Sequence, residues 1–401
     1  MSNASGSSEA DLAETPQGLW GALRGVRVLE LCQNAAGPFA SEILVMLGAD
    51  VVKLESGLGD VSRAIGRPRE GGVSAVYATL NHGKRSVSLD LKHPDSRPVL
   101  QRLVLNADVV LQNLRPGTAA RLGLGVDDVH AINPTAIYCS VAGLYPSEAD
   151  RPGYDVIAQA ESGIMDRIGE EGSPPARVPL PMLDYATAMW AAIGILAGLK
   201  TERRNLAINV TLLDVAMAMQ CETIAAYLAD GVVPRRRGSG LEAVTPHRAF
   251  ATSDGHILVA AGNDSLYGRL AAVLGSPLDD ARFSTTNGRM THRDELEAAI
   301  SEKLCVEPTA TWFEILHRAG IPVAPIRGLS DAVDRHIAHS STGVRRAGGF
   351  DVLAPPLEVS GNRWEPQRDP ATLGSDTSEV LSALGFTDNE IGALIASGVL
   401  A

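Results

Sequence analysis

The strongest constraint on the fold is a rhythm in the first 150 residues: short apolar runs recur, separated by stretches of helical spacing. Residues 26–31 (VRVLEL), 50–54 (DVVKL), 108–112 (DVVLQ) and 136–141 (AIYCSV) are too short for helices. They are apolar almost throughout rather than at every second position, as strands buried on both faces are. After the first run, Gly37-Pro38 opens a helical stretch to about Leu47, which Gly48-Ala49 ends; residues 94–106 read as another helix. Strands alternating with helices predict a parallel, doubly wound, Rossmann-like α/β sheet.

Further on, residues 185–230 read as helical, interrupted at 208–213, with an apolar stretch at 186–199. A spanning helix needs about 20 apolar residues, so that stretch is expected to be a buried helix. Pro234, Gly238 and Gly240, with the basic run Arg235-Arg236-Arg237, mark a linker. A new unit follows, with strands at 256–261 and 322–326 and helices at 265–274, 294–304 and 309–319. The chain then returns to the first unit and ends in helices at 377–384 and 388–396. The expected organisation is a disordered tail (1–20), a large domain (21–230 and 331–401), and a smaller α+β domain (235–330) inserted in it.

A length of 401 residues exceeds one small core. The net charge of −12 argues against a nucleic-acid binder, which needs a basic face, though not against a local basic pocket. Cys32, Cys139, Cys221 and Cys305 form no CxxC pair, so no metal site or disulfide framework is expected and the thiols read as buried and reduced. The first residues lack a basic start followed by an apolar run, so no signal peptide is read and a cytoplasmic, membrane-free protein is expected. The turn after the first strand, Cys32-Gln33-Asn34-Ala35-Ala36-Gly37-Pro38, holds no G-x-G-x-x-G, which disfavours a nicotinamide oxidoreductase.

Four blocks carry a more specific signal: residues 28–55 (VLELCQNAAGPFASEILVMLGADVVKLE), 80–91 (LNHGKRSVSLDL), 107–125 (ADVVLQNLRPGTAARLGLG), and 152–199, where PGYDVIAQAESGIM precedes a Pro-rich loop and LDYATAMWAAIGILAGL. In this order and spacing the chain resembles the class III CoA-transferase family, the formyl-CoA transferase and carnitine CoA-transferase group. The resemblance covers roughly residues 20–335. It implies an interlocked homodimer and the movement of coenzyme A between an acyl-CoA thioester and a free carboxylic acid, through an aspartyl mixed anhydride and an aspartyl-CoA thioester.

Asp184 stands where the family carries its catalytic aspartate. At a helix head, unpaired N–H groups and the dipole are expected to keep its carboxylate ionised; a plain N-cap is the alternative reading. The resemblance places Asn113 and Arg121 against CoA, and Lys84 and Arg85 are candidate phosphate ligands. Ala35, Ala36 and Gly37 are small enough for the cofactor to approach the backbone, although helix–sheet packing would ask for the same residues. Met182, Tyr185, Met189 and Trp190 belong either to an apolar acyl pocket or to the core. His82 and His247 read as polar loop residues.

The chain also departs from the pattern. Ser56 and Ala142 stand where formyl-CoA transferase has an arginine and a lysine. Residues 201–205 replace a Thr-Gly-x-Gly-Gln stretch, and only Gly238-Ser239-Gly240 remains of a glycine-rich loop. These losses disfavour formate and oxalate as substrates. One rival is an alpha-methylacyl-CoA racemase. It needs a second base where Gly153-Tyr154-Asp155 stands, and a tyrosine with its usual pKa near 10 serves poorly. Another is a non-catalytic CoA-binding subunit, against which Asp184 argues.

Overall fold

The computed structural model describes residues 18–67, 72–201, 205–360 and 363–400; most of the expected tail lies outside them, and Gly18–Gly21 forms a 3-10 turn. The chain divides into two compact units. The first comprises residues 1–161, 180–219 and 339–401; the second comprises 162–179 and 220–338. The second unit thus takes in three segments that the sequence reading gave to the large domain, 162–179, 220–230 and 331–338.

The first unit is built on six parallel strands: β1 (Arg27–Leu31), β2 (Asp50–Glu55), β3 (Arg85–Ser88), β4 (Val109–Gln112), β5 (Ile137–Ala142) and β6 (Leu206–Thr211). Their order in the sheet is β3-β2-β1-β4-β5-β6. Every residue of β4 and all but the first of β1 are buried, which is why these runs show no alternation. Helix Ala36–Met46 packs with Met182–Lys200. A second apolar cluster joins Leu29, Val110 and Tyr138 to Val99, Leu103 and Val129 and to Val380 and Ile391 of the two C-terminal helices. Each such side chain contributes roughly 1.5–3 kcal/mol on burial. The chain end is fastened to β3, where the Ser86 amide donates to Asp376 Oδ2 at 2.9 Å.

One boundary and one burial pattern differ from expectation. β6 stops at Thr211 because its hydroxyl accepts from the Asp214 amide and caps the helix Leu212–Ala218. The helix Met182–Lys200 is not buried all round. Leu183, Ala188, Ala191 and Ile195 are covered, while Met189, Trp190 and Ile193 are about half exposed.

The second unit holds a three-stranded antiparallel sheet, β7 (His247–Ala251), β8 (His256–Ala260) and β9 (Val323–Pro325). Helices Asp264–Leu274, Arg293–Leu304 and Thr309–Arg318 close a core around Ile257, Val259, Leu270, Ile300 and Leu316. Arg289 is fully buried there, donating to the carbonyls of Thr245, Phe283 and Gly262 and pairing with Asp264. Of the cysteines, Cys32 and Cys139 are buried as expected, whereas Cys221 and Cys305 are exposed. Neither histidine is a plain loop residue. His82 is buried, with Nδ1 2.8 Å from Glu42 Oε1 and its ring beside Trp364. His247 begins β7 with a buried Nδ1.

Candidate functional site

In an open parallel sheet the strand order reverses at one point, and loops leaving the carboxyl ends on either side diverge to leave a crevice. Here that point lies between β1 and β4. The residues that follow them, Gln33 to Ala36 and Asn113, line a cavity of about 730 Å³ together with Ala142 and Gly143 after β5, Tyr154, and Asp184. Its wall requires glycine at one crossing. A Cβ on Gly143 would sit 2.5 Å from the Gly153 Cα, so the two backbones touch where a side chain has no room.

Asp184 is 9% exposed and belongs to the first turn of Met182–Lys200. Its side chain does not cap that helix; Pro181 occupies the N-cap position. The cap comes from Asp155, at the head of helix Asp155–Glu161. Asp155 Oδ2 accepts from the Leu183 amide at 2.7 Å and from the Asp184 amide at 3.3 Å. The expectation that the helix end keeps Asp184 ionised is therefore corrected. Burial pushes its carboxyl up to about 7, and the Asp155 carboxylate adds to the rise. Asp155 already neutralises the dipole that would have favoured ionisation. The product is a buried carboxylate of near-neutral pKa, more basic and so a stronger nucleophile when ionised.

Ala35 and Ala36 line the cavity. Gly37 serves packing instead, since a Cβ there would lie 2.3 Å from Cys32 Sγ. Asn113 lines the cavity while bracketing Gln33, accepting from its amide at 2.9 Å and donating to its carbonyl at 2.8 Å. Arg121 lies in an adjoining cleft of about 1460 Å³ that shares Leu114 and Thr118 with the first cavity. Its guanidinium donates to the Thr118 hydroxyl at 2.8 Å. Lys92, His93 and Arg97 line the same cleft. Among the described residues none of Lys92, Arg97 and Arg121 pairs with a carboxylate. Sequence reasoning missed Lys92 and Arg97, although they lie just beyond the Lys-Arg-Ser block. Ser56 is in this cleft and Ala142 in the first cavity, so the two departures fall within the site.

Lys84 and Arg85 are not there. Lys84 is 1% exposed and its three N–H groups meet Pro38 O, Asn81 Oδ1 and Glu30 Oε2 at 2.8, 3.0 and 3.0 Å. Burial pulls its ammonium below the usual lysine range despite Glu30. Arg85 pairs with Asp50 at 2.5 Å. The reason is topological: Lys84 immediately precedes β3 and Arg85 begins it, at the amino edge of the sheet, whereas the crevice lies at the carboxyl edge. Met182, Tyr185, Met189 and Trp190 are likewise not among the cavity's lining; Tyr185 packs edge-on against Phe39 and Met189 and Trp190 face outward. Of the altered segments, residues 202–204 lie outside those described, and Ser239 accepts from the Ala249 amide, fastening its loop to β7.

What the arrangement can do is hold a polyanion in the basic cleft and present one of its ends to a buried carboxylate. The chain is also similar to known proteins. The sequence model of CoA-transferase family III matches residues 23–377. The chain is 32% identical to succinyl-CoA:glutarate CoA-transferase of Homo sapiens, over 94% of this chain and 90% of that one. It is 33% identical to acetyl-CoA:oxalate CoA-transferase of Acetobacter aceti, over 86% and 91%. Its fold is similar to the crystal structure of a CAIB/BAIF family protein from Brucella suis, with a TM-score of 0.79 and 31% identity, covering 90% of this chain and 99% of that one.

Proposed function

The chain belongs to CoA-transferase family III, and from that premise we propose that it moves coenzyme A between an acyl-CoA and a carboxylic acid through covalent intermediates on Asp184. One observation carries this reading: a buried carboxylate with its pKa near 7 shares a cavity with the loops after β1 and β4. The adjoining cleft with its unpaired cations suits the phosphates of CoA, and the shared Leu114 and Thr118 suit the passage of the pantetheine arm between the two.

The Asp184 carboxylate attacks the thioester carbonyl. A C–O bond forms, the C–S bond breaks, and a mixed anhydride and CoA thiolate result. The thiolate attacks the aspartyl carbonyl, giving an aspartyl-CoA thioester and releasing the donor acid. The acceptor carboxylate then attacks that thioester and expels the thiolate, forming a second anhydride. Attack of the thiolate on the acceptor's acyl carbon yields the new acyl-CoA and regenerates Asp184. The elevated pKa assists each attack by this carboxylate, and a low-polarity wall of Ala35, Ala36 and Val141 limits hydrolysis of the anhydride.

The racemase reading needs a base at the segment Gly153-Tyr154-Asp155. Tyr154 is the wrong type, and Asp155 is already occupied by the helix amides and by Gln159. We also propose a homodimer, because Met189, Trp190 and Ile193 form an exposed apolar stripe on a helix whose other face, with Leu183, Ala188, Ala191 and Ile195, is buried.

The test is incubation with acyl-CoA donors and free mono- and dicarboxylic acids, glutarate and oxalate among them, followed by hydroxylamine and mass spectrometry. New acyl-CoA species together with a hydroxamate on the Asp184 peptide are expected. Solvent deuterium entering an alpha-methylacyl-CoA without any CoA exchange would establish the racemase instead. Neither outcome would leave a non-catalytic subunit.

A further inference from the structure

The loop after β1 is gripped from behind by groups that the reaction does not use. Lys53 is fully buried; its ammonium donates to Glu30 Oε1 at 2.6 Å and to the Cys32 carbonyl at 2.9 Å, and pairs with the Asp60 carboxylate at 2.8 Å. Asp60, also buried, accepts from the Asn34 amide at 3.0 Å and the Ser62 amide at 2.8 Å, while its own amide donates to Glu55 Oε1. Asn113 holds both backbone groups of Gln33. Thus the Cys32 carbonyl, the Gln33 amide and carbonyl and the Asn34 amide are each fixed by a side chain. Asn34 meanwhile sits at φ 69°, in the left-handed region that residues with a Cβ adopt under constraint. Gln33 and Asn34 line the same cavity as Asp184.

We propose that Lys53 and Asp60 are positioning residues for CoA transfer. They hold Asn34 in its left-handed turn, so that the wall of the cavity is formed before substrate arrives. Their charges are consumed by each other, by Glu30 and by the loop backbone, so neither binds substrate. Preformed walls act on the reacting geometry rather than on general affinity, so the effect belongs in kcat.

This proposal rests on the transferase reading, and the test separates the two. Asn34→Gly and Asn34→Ala both remove the side-chain amide and leave the buried network intact, but only glycine adopts the left-handed turn freely. With the full-length protein, N34G is expected to keep a kcat about fivefold to thirtyfold above that of N34A, with KM for the acyl-CoA alike in both. Asp60→Asn is expected to cost about tenfold in kcat in the wild-type background and less than about twofold in the N34G background, where the clamp is no longer needed. Equal kcat for N34A and N34G would overturn the proposal, as would a loss confined to KM or an equal cost of D60N in both backgrounds. Should D60N fail to fold, the two Asn34 variants decide the matter alone. If the wild-type protein exchanges no CoA with any pair of acids, the transferase reading falls and this proposal with it.

Discussion

Asp184 acquires its character from two neighbours in space, apolar burial and Asp155, and both are testable through pH. Only the ionised carboxylate attacks, so kcat/KM is expected to rise with pH through a single-proton midpoint near 7. Asp155→Asn removes the like charge and should move that midpoint lower, read from a pH–rate profile. Stability follows the opposite sense. Between the ordinary value of 3.8 and about 7 the folded protein holds a proton that the unfolded chain has released. Stability attributable to this group is therefore present at low pH and falls as pH rises through that window, by on the order of 1–4 kcal/mol. Asp184→Asn should accordingly raise the melting temperature relative to wild type more at pH 8 than at pH 5, while lowering CoA exchange by about a thousandfold or more. The family block singled out Asp184 as the candidate nucleophile, the role proposed for it above. The sequence misjudged the carboxyl's ionisation, because the capping carboxylate comes from a residue 29 positions away.

Elements place the remaining functional groups, and the two edges of one sheet separate what the Lys-Arg-Ser block seemed to join. Arg121, Lys92 and Arg97 follow strands at the carboxyl edge, whereas Lys84 and Arg85 stand where β3 starts, at the other. Replacing Arg97 or Arg121 by Ala is expected to raise KM for the acyl-CoA about tenfold with kcat nearly unchanged, and to make KM less sensitive to salt. Arg85→Ala should stay within about twofold of wild type in the same steady-state assay, because its partner is Asp50. The helix that carries Asp184 depends on a cap borrowed from the head of helix Asp155–Glu161. Asp155→Ala should cost about 1 kcal/mol in denaturant unfolding, apart from any effect on rate. Strand positions were legible because buried parallel strands leave uninterrupted apolar runs. The end of β6 was not, since a single hydroxyl at Thr211 switches the backbone from strand to helix.

At the scale of the molecule, the exposed Met189, Trp190 and Ile193 stripe sets an expectation for assembly. Trp190→Glu should convert a dimer to monomer in light scattering after gel filtration, since a charge at a buried apolar contact lacks a partner. A wild-type protein that is already monomeric would contradict the proposed dimer. The sequence alone determined the parallel α/β sheet and the family. Those rest on apolar periodicity and on local blocks whose meaning does not depend on contacts far along the chain. It could not decide which cations are free. Lys53 and Lys84 are as basic as Lys92 in one dimension, yet three acceptors surround each of the first two once Glu30, Asp60, Pro38 and the Cys32 carbonyl are brought together. Tertiary structure alone makes one lysine part of a buried clamp and leaves another open to a phosphate, because the charge available to a ligand is what remains after the fold has satisfied its own donors.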